Sequence, residues 1–422
     1  LTRAFQGTLL AAAAEYYRDG RYLFARNMAP LWRQGNLDWT SYLSRSFDIG
    51  LEPVLPEDHI GVKVVPMDPL VYHAWENFSD ADGTRGPSTR PPEAPLEKCF
   101  DKLAYRSGFG IQDEYLLLDG LGGGSHSYDD AMSIVDYEKF GVDFVVAEDD
   151  LLNNEAENHS MVTVIRNGEY EKIPSFPALE EVRQDPDGSV YLSMELKNCA
   201  GTDWRRGIFR IPEVGLVVQD TVTARDEGLY RVTSRLRTPG RASLEGERLL
   251  SRRVNGAGET VWFQVAAAAS APCRYSAVEK PIANPRIRLD DKYGRERFSQ
   301  MRTDYFFDQR YRLAEDEFCL TSYEQEMILE LRPGEKVCFT NLLCPSREQV
   351  SAELLVRDGK IWAAVDGRMQ PTPFAAYPFW QKTGEPLYPP APAEQAAGFH
   401  AEVSCLKALD GGEAAVGLRD GR

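Results

Sequence analysis

The stretch that decides the fold is residues 189–237, SVYLSMELKNCAGTDWRRGIFRIPEVGLVVQDTVTARDEGLYRVTSRLR. It contains four runs in which apolar and polar residues alternate: SVYLSMEL, GIFRI, VGLVVQDTVTA and GLYRVTSRLR. Such alternation indicates strands, and segments such as DEG between them have the chemistry of turns. No helical pattern separates these runs. We therefore predict an antiparallel β-sandwich and a mainly-β fold class.

The same pattern continues in both directions. LAYRSGFG, EYLLLDG, MSIVDY, VDFVVAE and HSMVTVI lie upstream, and VWFQVAAAA and EMILELRPGEKVCFTNLLC lie downstream. We predict one sandwich over residues 102–345. Residues 346–422 follow as additional strands, a Pro-rich connector, TGEPLYPPAPAEQ, and a C-terminal hairpin joined by Asp-Gly-Gly. That hairpin is similar to part of a β-propeller blade, although a simple terminal hairpin explains it equally well.

Residues 1–101 have a different pattern. Apolar residues recur at helical spacing up to Ala29, and Pro30 ends the pattern. A stretch too rich in Pro, Gly and Asp for regular structure, SDADGTRGPSTRPPEAP, follows later. We interpret residues 1–101 as the end of a helical domain and a linker loop. We expect residues 1–39 to pack against one edge of the sandwich, and the rest of the helical domain to lie upstream of Leu1.

The amino-acid composition limits the classes of binding partner. The formal net charge is -17, which argues against nucleic acid or an anionic membrane surface because both need a basic face. No apolar run reaches the roughly 18 residues of a membrane span. An anionic substrate would need a local basic pocket, for which Arg205 and Arg206 are candidates. The seven cysteines include no CxxC pair, so no redox or zinc-knuckle motif is indicated.

Two of the five histidines lie in the stretch that the strands surround. His126 follows a Gly-rich turn in GGGSHSYDDAMSI, and His159 lies in ENHSMVTVI. Each is near carboxylates and precedes a predicted strand, so the two side chains are expected to approach each other across a sheet. Histidine suits proton transfer near neutral pH and metal binding. The alternative is that both are hydrogen-bonded structural residues at a sheet edge.

Six segments in this order resemble the heparinase II/III-like polysaccharide lyases: RYLFARNM, LAYRSGFGIQDEYLLLDG, GGGSHSYDDAMSI, FVVAEDD, ENHSMVTVIRNG and WRRGIFRIPEVGLVVQDTV. The resemblance covers roughly residues 1–237. It implies an (α/α) toroid, here only its remnant, followed by an antiparallel sandwich of the supersandwich type. It also implies a periplasmic or extracellular enzyme that cleaves uronic-acid-containing acidic polysaccharide by β-elimination.

The resemblance also implies roles for single residues. His126 matches the catalytic His of a His-x-His-x-Asp segment, and Tyr128 stands where the metal-binding second His would be. Glu148 or Asp149 and His159 match the other ligands of a structural zinc ion. Because of Tyr128, either His126 is recruited as a ligand or the site is empty. We assign substrate binding to Tyr128, Arg205 and Arg206.

The family's catalytic Tyr and its Asn or His partner precede the His-x-His segment by more residues than this chain offers. We therefore expect the 422-residue chain alone to show little lyase activity. One alternative is a non-catalytic carbohydrate-binding protein that retains the sandwich. Another is a glycoside hydrolase with paired carboxylates. Its candidate residues are Asp129, Asp130, Glu148, Asp149 and Asp150.

Overall fold

The computed structural model describes residues 59–73, 92–122, 129–147, 156–281 and 319–377, with two further strands at 403–408 and 414–418. The chain divides into two units, Leu1–Gln381 and Lys382–Arg422. All the strand pairs that the structure describes in these ranges are antiparallel, which confirms the predicted mainly-β class.

The first sheet has five strands in chain order. They are β1 Gly61–Pro66, β2 Phe100–Arg106, β3 Tyr115–Asp119, β4 Ile134–Lys139 and β5 Val142–Val146. A short helix, α1 Pro69–His73, and a 3-10 turn, Leu96–Lys98, lie between β1 and β2. Because β1 pairs with β2 along its whole length, this sheet begins before the predicted boundary at residue 102.

The second and third sheets contain most of the remaining strands of the first unit. The second has eight strands in the order β13-β14-β15-β18-β11-β10-β9-β8, and the third has five in the order β16-β17-β12-β6-β7. Their bounds are β6 Val162–Arg166, β7 Glu169–Tyr170, β8 Ala178–Gln184, β9 Val190–Cys199, β10 Thr202–Ile211, β11 Gly215–Ala224, β12 Gly228–Pro239, β13 Ala242–Glu245, β14 Arg248–Val254, β15 Thr260–Ala269, β16 Arg274–Pro281, β17 Cys319–Leu331 and β18 Lys336–Ser346.

One apolar core joins these three sheets. It includes Phe144 from the first sheet, Trp204 and Phe263 from the second, and Val232 and Tyr323 from the third, all buried. The rings of Phe144 and Phe263 stack with their centroids 5.0 Å apart. Such an aromatic pair adds about 0.5–1.5 kcal/mol to the stabilisation from burial. The sheets therefore form the layers of a sandwich, as alternation along the strands predicts.

A three-stranded sheet covers part of the outer face of the eight-stranded sheet. Its strands are β19 Ala352–Arg357, β20 Lys360–Val365 and β21 Arg368–Ala375. A second apolar core, which includes Phe209, Leu342 and Phe374, fills the interface. Gly207 allows this contact, because a Cβ atom there would lie 2.5 Å from the Phe374 ring.

The second unit contains β22 Val403–Ala408 and β23 Ala414–Leu418, which pair with each other. The predicted helical remnant up to residue 58 lies outside the described residues. Among the described residues, Cys99, Cys273, Cys338 and Cys344 are free thiols. The described helices are all too short or too polar to cross a membrane.

Candidate functional site

The predicted site residues fall into two groups. His126, Tyr128, Glu148 and Asp149 lie outside the described residues, in the stretches 123–128 and 148–155. His159, Arg205 and Arg206 are described, and so is the chain on both sides of each stretch. The flanking segments, residues 129–134, 144–147 and 156–162, therefore define the surroundings of the site.

These flanking segments meet at the junction of two sheets. The backbone N–H of Ile134 donates to the carbonyl oxygen of Ser160 at 3.1 Å, and the two residues form an isolated β-bridge. The Ser160 hydroxyl donates to the carbonyl oxygen of Val146 at 3.1 Å. The strands that follow the two histidines, β4 and β6, belong to different five-stranded sheets. The predicted strands of the two histidines therefore do not share one sheet, and His126 itself lies outside the described residues.

Arg206 lies under this junction and is completely buried. Its Nε and Nη2 atoms donate to Oδ1 and Oδ2 of Asp220 at 2.8 and 3.0 Å. Its Nη1 atom donates to the carbonyl oxygens of Met132 at 2.8 Å and Ser160 at 3.1 Å. The geometry does not support the prediction that Arg206 contacts substrate, because these donors are directed at acceptors inside the sandwich.

Arg205 lies on the opposite face of β10. Its side chain is 58% exposed, and its Nη2 atom lies 3.3 Å from a carboxylate oxygen of Glu195. Successive side chains of a strand point to opposite faces. Arg205 and Arg206 therefore cannot line one pocket together. The strand register of the structure explains the burial of Arg206, since Arg206 and Asp220 are directly opposite each other in the β10–β11 hairpin.

His159 is buried, with 2% of its surface exposed. Burial and, to a smaller extent, the charge of Arg237 lower the pKa of His159 to about 3. The Arg237 backbone N–H donates to the Ser160 hydroxyl at 3.0 Å, and its Nη1 atom donates to the carbonyl oxygen of Asn158. The imidazole is therefore neutral at physiological pH. This excludes His159 as a proton shuttle near pH 7 and leaves it in the form that binds metals.

The fit to the expected zinc ion is partial. Neutral, buried His159 suits a ligand, whereas the adjacent guanidinium of Arg237 opposes a dication. Among the described residues, the set of three ligating side chains close enough for one ion is Asp136, Glu138 and Asp143, with ligand atoms within 4.8 Å of one another. This set lies on β4 and β5 and does not include His159. His159 is the one predicted zinc ligand that lies within the described residues, so the zinc site stays a prediction.

A group of acidic residues lies beside the His126 stretch. The Lys102 ammonium lies between Asp101 and Asp119, 3.0 and 2.9 Å from one oxygen of each. Burial, followed by the charge of Asp119, raises the pKa of Asp130 well above its ordinary value. Oδ1 of Asp130 is shielded from solvent and accepts no hydrogen bond in the part of the chain that the structure describes. Asp130 is therefore a carboxyl group that retains its proton to unusually high pH.

Tyr170 is a neighbour that sequence reasoning missed. The β6–β7 hairpin brings it back to the Asp129 carboxylate, to which its hydroxyl donates at 2.9 Å. Tyr170 as a whole is 51% exposed. The pKa of its hydroxyl is raised, mainly by burial. The phenol is therefore a hydrogen-bond donor at neutral pH rather than a base.

No family model matches the sequence, and no curated protein matches it. The chain is similar to solved structures of heparinases. A heparinase III gene product aligns with a TM-score of 0.47 and 12% identity, over 71% of this chain and 46% of that protein. A further heparinase III structure has a TM-score of 0.48 and 13% identity, over 86% and 60%. A heparan sulfate lyase from Pedobacter heparinus has a TM-score of 0.45 and 11% identity, over 79% and 52%. The chain spans about half the length of these proteins.

Proposed function

We propose that this chain is part of a polysaccharide lyase that cleaves a uronic-acid-containing acidic polysaccharide by β-elimination, in the periplasm or outside the cell. The observation that carries the proposal is the convergence of two of the six family-like segments. GGGSHSYDDAMSI and ENHSMVTVIRNG resemble the lyase site in sequence. The chain segments that follow His126 and contain His159 are joined by the Ile134–Ser160 bridge.

In this reaction the uronate carboxylate is neutralised, the adjacent carbon loses a proton, and the glycosidic oxygen at C4 leaves with a proton from a donor. We assign proton transfer to His126, because the neutral and buried His159 cannot supply it. A protonated Asp130 would donate a hydrogen bond to the uronate and so favour the developing enolate. Among the predicted arginines, Arg205 is the exposed one, and we propose it as the contact for substrate anions.

Zinc remains a structural proposal. His159 would hold it together with Glu148 or Asp149, and Tyr128 would face the sugar instead of the ion. A bound zinc ion would lock these chain segments together. No step of the proposed reaction depends on it.

The test is incubation with alginate, heparan sulfate, hyaluronan and ulvan, with detection of the unsaturated product by its ultraviolet absorbance. Both the 422-residue chain and the protein read from its full open reading frame are assayed. We expect product from the latter with at least one glycan. Binding without cleavage would indicate a carbohydrate-binding protein instead, and new reducing ends without ultraviolet absorbance would indicate a hydrolase.

A further inference from the structure

We propose that Arg206 is a positioning residue of the lyase site, which clamps the turn after His126 to the segment that carries His159. This inference rests on the proposed function for its catalytic consequence. It assigns to Arg206 a role that acts through the backbone of two site segments and involves no contact with the sugar.

The first side of the clamp is a strained turn. Met132 has a backbone φ of 64°, which is the left-handed region that residues with a side chain rarely adopt. Its N–H donates to the carbonyl oxygen of Asp119 at 2.8 Å, and its own carbonyl oxygen accepts from Arg206 at 2.8 Å. Strained backbone persists only where the surroundings enforce it, and it is concentrated at functional sites. Arg206 helps to hold Met132, two residues after Asp130, in this strained conformation.

The second side of the clamp is the His159 segment. The carbonyl oxygen of Ser160 accepts from Arg206 and from the N–H of Ile134, both at 3.1 Å. One guanidinium therefore fixes the separation of two segments that are 74 and 46 residues away from it in sequence.

The chemistry of the guanidinium suits this task. Its planar fork directs two N–H groups at the Asp220 carboxylate and leaves Nη1 for the two carbonyl oxygens. Asp220 neutralises the charge, so the pair places no net charge near a bound anion. A lysine ammonium at this position would retain the charge but could not reproduce the fork.

The test compares two double variants. Arg206→Met with Asp220→Asn removes the clamp without leaving an unpaired buried charge. Arg210→Met with Glu114→Gln removes a second largely buried pair from the same strand, in which the Arg210 Nη2 atom lies 2.8 Å from Glu114, without a hydrogen bond to either site segment. If the first double variant does not fold, Arg206→Lys replaces it.

The readout is hydrogen exchange of peptides that cover residues 129–136 and 156–162, together with global stability. We expect about tenfold faster exchange in both peptides of the Arg206 variant and parental exchange in the Arg210 variant. In the protein from the full reading frame, kcat should fall about tenfold or more with KM nearly unchanged. Parental exchange in both peptides, or equal changes in the two variants, would overturn the clamp. A parent without lyase activity would overturn the proposed function, and the exchange data would still decide the clamp.

Discussion

Arg206 and Asp220 form a two-pronged ion pair in the interior of the sandwich, with Nε–Oδ1 and Nη2–Oδ2 distances of 2.8 and 3.0 Å. Trp204 adds a third hydrogen bond, from Nε1 to Asp220 Oδ1 at 2.9 Å. Both charged side chains are at most 1% exposed. The attraction within such a buried pair offsets the loss of hydration only while both partners are present.

Removal of one partner should therefore be much more harmful than removal of both. We expect Arg206→Met to lower the free energy of unfolding by about 3–5 kcal/mol, because it leaves Asp220 buried and unpaired. Addition of Asp220→Asn should restore a large part of this loss. Urea denaturation of the parent, the single variant and the double variant measures both effects. A double variant as unstable as the single one would contradict this account of the pair.

The catalytic assignment predicts a specific loss at His126. In the protein from the full reading frame, His126→Ala should reduce kcat/KM by about 100-fold or more, because general acid–base catalysis contributes that much. The matched control is His73→Ala, which removes an exposed histidine on α1 and should leave the rate unchanged. If His126→Ala cleaves as fast as its parent, His126 is a structural residue.

The raised pKa of Asp130 predicts a pH effect with a definite sign. Its folded-state pKa lies above the unfolded value, so unfolding releases a proton between the two values and stability falls as the pH rises through them. Asp130→Asn cannot ionise. It should be more stable than the parent at about pH 7, and this advantage should shrink toward about pH 4.

Denaturation curves across that pH range measure the difference. Asp358→Asn, which changes an exposed carboxyl group in the β19–β20 turn, is the control and should follow the parent at each pH. An Asp130→Asn protein whose stability differs from the parent by the same amount at every pH would show that Asp130 ionises normally.

Measurement of the zinc content of variants distinguishes two candidate cation sites. We predict that zinc bound to the chain is held by His159 with Glu148 or Asp149 and is lost on His159→Ala. Asp136→Asn, in the carboxylate group of β4 and β5, should leave the zinc content unchanged. The reverse pattern would move the cation to Asp136, Glu138 and Asp143, and a metal-free parent would remove the zinc proposal altogether.

The strand β9 was predictable because apolar and polar residues alternate along it. SVYLSMEL contains buried Val190, Leu192, Met194 and Leu196 at alternate positions. The short strand β1 was not predicted. Its sequence, GVKVVP, has only one buried residue and ends in proline, so alternation gives little signal.

The site was harder to predict for a related reason. Two consecutive arginines are typical of a solvent-exposed surface. A single sequence does not show which of the two faces a buried carboxylate on the neighbouring strand. The burial of His159 is not evident from the sequence either, because ENHS is polar throughout and the burial comes from the sheet junction. The carry-over of His126, Tyr128, Glu148 and Asp149 from the family resemblance stays a prediction.

The clamp around Arg206 also implies an order of assembly. Arg206 and Asp220 belong to one hairpin and are 14 residues apart, so a short loop closure suffices to bring them together. The bonds to Met132 and Ser160 span 74 and 46 residues and require three sheets to have met. We therefore expect the hairpin pair to form early in folding and the two carbonyl bonds to form last. Contacts of long sequence separation are slow to form, so the site would be completed in the final and slowest step of folding.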